Sequence, residues 1–207
     1  MMPTSIQQSK QWKKSSEKWK ELYHHYEKHK KAIKERLQEF KQVRDEKKTF
    51  REICFCILAA NTSSKMASRV MNGVGEVIFT GSEQEIRERL HALSCRFYNK
   101  RAEYIFLARN VPIKFERDYL AENIKGFGYK ESSHFLRNMG HSDYAILDKH
   151  VLRAMQEFGI IKKIPTMNKK NYLILEKKLK LFSKYLNISM DELDFVLWSR
   201  KSGEILK

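Results

Sequence analysis

Leu120-Ala121-Glu122-Asn123-Ile124-Lys125-Gly126-Phe127-Gly128-Tyr129-Lys130 is the stretch that decides the fold. A short apolar helix meets Gly126-Phe127-Gly128, and a second helix begins at once. Two glycines one residue apart permit a tight turn with positive φ and let the backbone approach another surface closely. The first backbone N–H groups of the second helix then point outward, where a phosphate can bind. This is the geometry of a helix–hairpin–helix DNA-binding element. An ordinary helix–helix turn has the same spacing, so the flanking residues must separate the two.

Lys130 stands at the start of the second helix, where the helix dipole disfavours a cation. A neutral amine is a nucleophile, while phosphates close by would pull toward the ammonium. Asp148 follows 18 positions later (148 − 130), in Ala145-Ile146-Leu147-Asp148-Lys149-His150-Val151-Leu152. An aspartate between an apolar triplet and an apolar helix is an N-cap. Capping and chemistry are compatible. An immobilised carboxylate can take a proton from an amine or stabilise positive charge developing on a sugar.

Outward from this centre the chain reads as all-α. Its 3 prolines are sparse, and strict two-residue alternation is rare. Only Val77-Ile78-Phe79 has the character of a strand. The first 48 residues read as one long amphipathic helix, with Trp12, Trp19, Tyr26, Ile33 and Phe40 at seven-residue spacing. That period keeps the apolar side chains on one slowly drifting stripe. A buried helix follows over Lys47–Ala60 and ends in the polar turn Asn61-Thr62-Ser63-Ser64. Ser82 with Glu85, and Ser189 with Glu192, are capping-box pairs. Arg96-Phe97-Tyr98 opens another helix. Further helices are expected near Tyr119–Asn123 and over Lys130–Met139, Asp148–Phe158 and Lys169–Leu186.

Lysine and arginine outnumber aspartate and glutamate by 41 to 25, a formal charge of +16. Such a surplus favours a polyanionic partner through charge attraction and counterion release. Hydrophobic content of 42% supplies a core. The 3 cysteines, Cys54, Cys56 and Cys95, lie in apolar runs and suit neither a disulfide framework nor a zinc or iron–sulfur site. Without a signal peptide or membrane-spanning run, a reducing cytoplasm with nucleoid association is expected.

The run from Ile124 through Lys130 to Asn138, followed by Ala145-Ile146-Leu147-Asp148-Lys149-His150, resembles the helix–hairpin–helix glycosylase superfamily. Within it the match is closest to the compact 8-oxoguanine DNA glycosylase/lyases of archaea and some bacteria. The stretches from Cys54 to Asn61 and from Arg96 to Tyr104 also look like this family. The resemblance covers most of the chain after about Lys47. The iron–sulfur cysteines of the thymine-glycol and adenine-mismatch branches are absent.

The resemblance implies two helical subdomains flanking a DNA-binding cleft. Residues 1–47 would pack with 141–207 as one subdomain. Residues 48–140 would form the other, ending in the hairpin. Lys130 and Asp148 are then the catalytic pair: Lys130 attacks C1′ of the damaged nucleotide, and the Schiff base leads to β-elimination. No metal or redox cofactor is needed. Gly126 and Gly128 would meet the DNA backbone, and His150 a phosphate. Asn61 and the Arg96-Phe97 pair sit where the family places its hole-filling and opposite-base contacts. His134, one turn beyond Lys130, and Trp198 would lie against the extruded base, and Lys207 is associated with reading it. The implied partner is double-stranded DNA containing 8-oxoguanine or abasic sites, bound by a monomer away from membranes.

Two other readings compete. A non-catalytic helix–hairpin–helix module explains charge and hairpin but gives no reason for the Lys130/Asp148 pair. A glycosylase for another base, such as an alkylated purine, gives no reason for a lysine nucleophile.

Overall fold

The computed structural model describes residues 17–42 and 44–202, and among them there are eleven helices and no strand. They are α1 (Glu17–Phe40), α2 (Glu46–Ala59), α3 (Ser64–Val74), α4 (Val77–Thr80), α5 (Glu83–Ala92) and α6 (Tyr98–Ala108), then α7 (Arg117–Asn123), α8 (Tyr129–Asn138), α9 (Lys149–Glu157), α10 (Lys169–Leu186) and α11 (Met190–Ser202). None is long and apolar enough to cross a membrane. The chain divides into two compact units, one of α1 with the residues from His141 onward, the other of residues 41–140.

The discontinuous unit is held by the stripe on α1. Trp19, Leu22, Tyr26, Ile33 and Phe40 are all buried. Trp19 sits among Phe158, Phe182 and Tyr185, with ring centroids 5.1–5.6 Å away. Phe40 stacks on Phe195 of α11 at 6.2 Å. Each such side chain contributes roughly 1.5–3 kcal/mol on burial. The stripe therefore adds tertiary anchoring to a segment rich in the good helix formers Lys, Glu and Leu. Trp12, the first member of the heptad series, lies outside the described residues.

The helix expected over the first 48 residues is shorter than that. It stops at Phe40, and α2 starts afresh under an N-cap, the Asp45 Oδ1 accepting from Lys48 N–H at 2.7 Å. A local side-chain cap here competes successfully with helix continuation.

The continuous unit is built around α2, whose Ile53 to Leu58 are buried on every side. An all-round apolar helix belongs in a core. Its single buried carboxylate, Glu52, accepts from Arg44 Nη1 at 2.7 Å and from Asn138 Nδ2 at 2.8 Å, which ties α2 to the end of α8. Both capping boxes form, at Ser82/Glu85 and at Ser189/Glu192. The three cysteines are free and buried.

Val77-Ile78-Phe79 is a one-turn helix, not a strand. The Arg109 guanidinium donates to the carbonyls of Ile78 (2.7 Å) and Val77 (3.0 Å), taking acceptors that a sheet partner would need.

Candidate active site

The hairpin joins α7 to α8. Phe127 N–H closes the turn on Ile124 O at 3.0 Å, and the Phe127 ring is buried 6.2 Å from Phe135. Only one of the two glycines takes positive φ: Gly126, at +89°. It also faces a close neighbour, since a Cβ there would lie 2.4 Å from Tyr104 Cδ2. Gly128 is extended (φ −111°) and stands as the N-cap of α8. The Tyr129 hydroxyl donates to the Asp118 carboxylate, which binds the two helices of the hairpin together.

Lys130 is the second residue of α8, with its side chain partly buried, 28% exposed. Its Nζ lies 2.8 Å from Glu131 Oε1, while Glu131 Oε2 accepts from Gly128 N–H at 3.2 Å. One carboxylate thus caps the helix and holds the amine. His134, one turn on, meets the Phe55 ring of α2 edge-on at 5.9 Å.

The second group in this unit surrounds Arg101. Asn61 and Phe97 both sit in the left-handed region, at φ 55° and 57°. Asn61 follows Ala60, the C-cap of α2, and Phe97 is the N-cap residue of α6. Phe97 is not a core residue: it is 54% exposed. The Arg96 guanidinium lies 5.0 Å from its ring centroid. Arg101 is 4% exposed and donates to Ala60 O (2.5 Å) and Cys95 Sγ (3.2 Å).

Asp148, His150 and Trp198 belong to the other unit. Tyr172 and Glu176 of α10 set the approach to Asp148. The Tyr172 hydroxyl donates to Ala145 O at 2.5 Å, and Glu176 Oε1 accepts from Ala145 N–H at 2.9 Å. Asp148 Oδ1 then accepts from the N–H groups of His150 and Val151, both at 2.8 Å. The carboxylate is a true N-cap with a fixed orientation. Its second oxygen has no hydrogen-bond partner among the described residues. His150 and Trp198 are half-buried, the latter on α11 among the buried Phe195, Val196 and Leu197. Lys207 lies outside the described residues.

Sequence reasoning gave no role to Arg101 or Glu131, although both fall inside quoted motifs. Nothing in residue type alone distinguishes a buried arginine from a solvated one. The Lys130–Glu131 neighbourhood was visible as adjacent opposite charges.

An all-helical chain with a Gly-x-Gly hairpin and a lysine directly behind it falls in the helix–hairpin–helix class of base-excision enzymes. Known proteins narrow this further. The family described as 8-oxoguanine DNA glycosylase matches residues 33–188. The chain is 41% identical to the 8-oxoguanine DNA glycosylase/AP lyase of Methanocaldococcus jannaschii, over 84% of this chain and 91% of that one. The crystal structure of that archaeal glycosylase/lyase with a 15mer DNA containing 8-oxoguanine matches with a TM-score of 0.83 and 38% identity, covering 89% of this chain and 98% of that one. The 8-oxoguanine DNA glycosylase of Thermotoga maritima matches with a TM-score of 0.84 and 36% identity, covering 91% of this chain and 97% of that one. The chain belongs to the 8-oxoguanine DNA glycosylase family.

Proposed function

We propose that this chain excises 8-oxoguanine from duplex DNA and then nicks the abasic strand, with Lys130 as nucleophile and Asp148 as its acid–base and electrostatic partner. The observation that carries the reading is the placement of Lys130: a partly buried amine at the second position of a helix whose entry turn is Gly126-Phe127-Gly128.

A base inside a duplex is unreachable, so the enzyme extrudes it and fills the hole. Phe97 is the wedge, with its exposed ring raised on a left-handed turn, and Asn61 and Arg96 meet the vacated strand. Gly126, Gly128 and the first N–H groups of α8 take a phosphate, as does His150 at the start of α9. His134 and Trp198 lie against the extruded base, and Lys207 reads it. The neutral Lys130 amine, its proton passed to Asp148, attacks C1′. The C1′–N9 bond breaks, and 8-oxoguanine leaves with the bonding pair and gains a proton. Asp148 stabilises the oxocarbenium-like charge. Opening of the sugar gives a Schiff base on Lys130. Loss of a C2′ proton then expels the 3′ phosphate. These residues complete the reaction without metal or redox chemistry. The protein works as a monomer in the cytoplasm, on the nucleoid.

The test is borohydride trapping on a panel of duplexes, each carrying one lesion. A covalent complex with the 8-oxoguanine duplex, and none with undamaged or alkylated-purine duplexes, is the expected result. Tight binding with no covalent complex on any lesion would overturn it in favour of a non-catalytic binding module.

A further inference from the structure

Arg101 is an uncompensated buried cation. It is 4% exposed, and among the described residues no carboxylate lies within ion-pair distance of it. Its partners are neutral: the Ala60 carbonyl at 2.5 Å, the Cys95 sulfur at 3.2 Å, and the face of the Phe97 ring, whose centroid is 5.8 Å from Cζ. Burying an unpaired charge is costly, and a hydrophobic residue of similar volume would serve packing as well or better. Packing alone therefore does not account for a charge at this place.

The three partners share a layout. Ala60 immediately precedes Asn61, and Cys95 lies two residues before Phe97. Asn61 and Phe97 are both non-glycine residues at positive φ. Such conformations persist when surrounding structure over-determines them. Arg101 also starts the helix behind Phe97, its N–H donating to Phe97 O at 3.0 Å. Its side chain turns back toward the helix N-terminus, as long helical side chains do. A planar guanidinium presents donors in a rigid fork. One group therefore bridges two turns that are 36 residues apart in sequence (97 − 61), a polar tie at the ends of α2 and α6, which also pack on each other.

We infer that Arg101 is a positioning residue for strand opening: it sets the distance between Asn61 and Phe97, so that wedge and hole-filler enter the duplex together. The inference rests on the proposed roles of those two residues. A lysine cannot replace the fork, because a point charge on a flexible stem reaches one acceptor or the other but does not hold both at a set angle.

The experiment compares two substrates. One is duplex DNA with 8-oxoguanine, which must be opened. The other is single-stranded DNA with a preformed abasic site, which needs no opening and reports the Lys130 chemistry alone. Arg101→Lys, Arg101→Gln, Phe97→Ala, Asn61→Ala and the double variant Arg101→Lys/Phe97→Ala are assayed at single turnover, with folding followed by circular dichroism. Misplacement of a reacting assembly by about 1 Å can cost about 100-fold. Accordingly, Arg101→Lys is expected to slow duplex excision by at least about tenfold, while trapping on the single strand stays within about twofold of wild type. The double variant should be no slower than the worse of its two single variants, because both act on one step. Arg101→Gln keeps a hydrogen-bonding head without the charge and serves if the lysine variant does not fold.

Wild-type duplex excision by Arg101→Lys or Arg101→Gln, with Phe97→Ala and Asn61→Ala both slow, overturns the positioning role and leaves the hole-filling reading intact. Equal losses on both substrates also overturn it, since a general structural defect does that. Wild-type excision by Phe97→Ala and Asn61→Ala together overturns the hole-filling reading itself.

Discussion

Glu131 holds Lys130 with one carboxylate oxygen, 2.8 Å from Nζ, and caps the same helix with the other, 3.2 Å from Gly128 N. The nucleophile and the turn that would bind phosphate share one acidic anchor. Glu131→Gln keeps an oxygen for the Gly128 N–H and removes the anion. An ion pair of this exposure is worth about 0–1 kcal/mol, so unfolding should shift little. Trapping on abasic DNA should slow about threefold or more, because the amine loses its preset orientation. Glu131→Ala should add the loss of a cap, about 1 kcal/mol in a denaturant titration. An unchanged trapping rate in both variants would show that Lys130 needs no anchor.

Lys130→Gln removes the nucleophile and preserves the length of a polar side chain on α8. Borohydride should crosslink wild-type protein to 8-oxoguanine DNA and should fail with the variant, which still binds the duplex. A normal crosslink yield from Lys130→Gln sinks the assignment.

Asp148→Asn can still accept from the His150 and Val151 N–H groups. Folding should survive with a loss of at most about 1 kcal/mol. A neutral amide neither accepts the lysine proton nor stabilises a cation, so single-turnover excision should fall by at least about 100-fold. If excision stays within twofold of wild type, the carboxylate serves only as a cap.

A fourth prediction concerns Lys207, proposed above to read the base. Lys207→Ala should slow 8-oxoguanine excision far more than it weakens binding to undamaged duplex, which depends on phosphate contacts. Wild-type excision by Lys207→Ala would leave base reading to His134 and Trp198.

A fifth prediction concerns pH and unfolding. His25 on α1 meets the Ser199 hydroxyl at 2.7 Å and the His29 ring at 4.5 Å. Burial, followed by the neighbouring His29, Arg200, Lys28 and His24, lowers its pKa below 6.5. A depressed folded value means the unfolded chain takes the proton first. Its contribution is fully present above the unfolded value and is lost as pH falls through the folded one. The melting temperature should therefore decline below about pH 6.5, and His25→Gln should flatten that decline. Parallel curves for the two proteins would remove His25 from the account.

Periodic and capping signals were legible because they are local. The seven-residue recurrence of Trp19, Tyr26, Ile33 and Phe40 is a property of one helix, and the Ser82/Glu85 box closes within four residues. The Lys130 and Asp148 positions were legible for the same reason, since turn and cap are written beside them. What stayed hidden was set by distant partners. Asn61 and Phe97 adopt left-handed backbone under a clamp from Arg101, and no pattern near Asn61 announces Arg101. The strand-like Val77-Ile78-Phe79 is a helical turn whose Val77 and Ile78 carbonyls are taken by Arg109, 32 and 31 positions on. The cap at Asp45 went unread, because the strong stripe before it invited an unbroken helix.

The split of the chain into one continuous and one discontinuous unit has a consequence during synthesis. Residues 41–140 come from one uninterrupted stretch, so their mutual contacts can form before the later part of the chain is made. Helix α1 is made first, yet Phe158, Phe182 and Phe195, which cover Trp19 and Phe40, come more than 100 residues later. At about 5–20 residues per second, an apolar stripe on a nascent chain waits roughly 7–30 seconds for its cover. During that interval the buried face of α1 is exposed, and only the lysines of its polar face offset its apolar character.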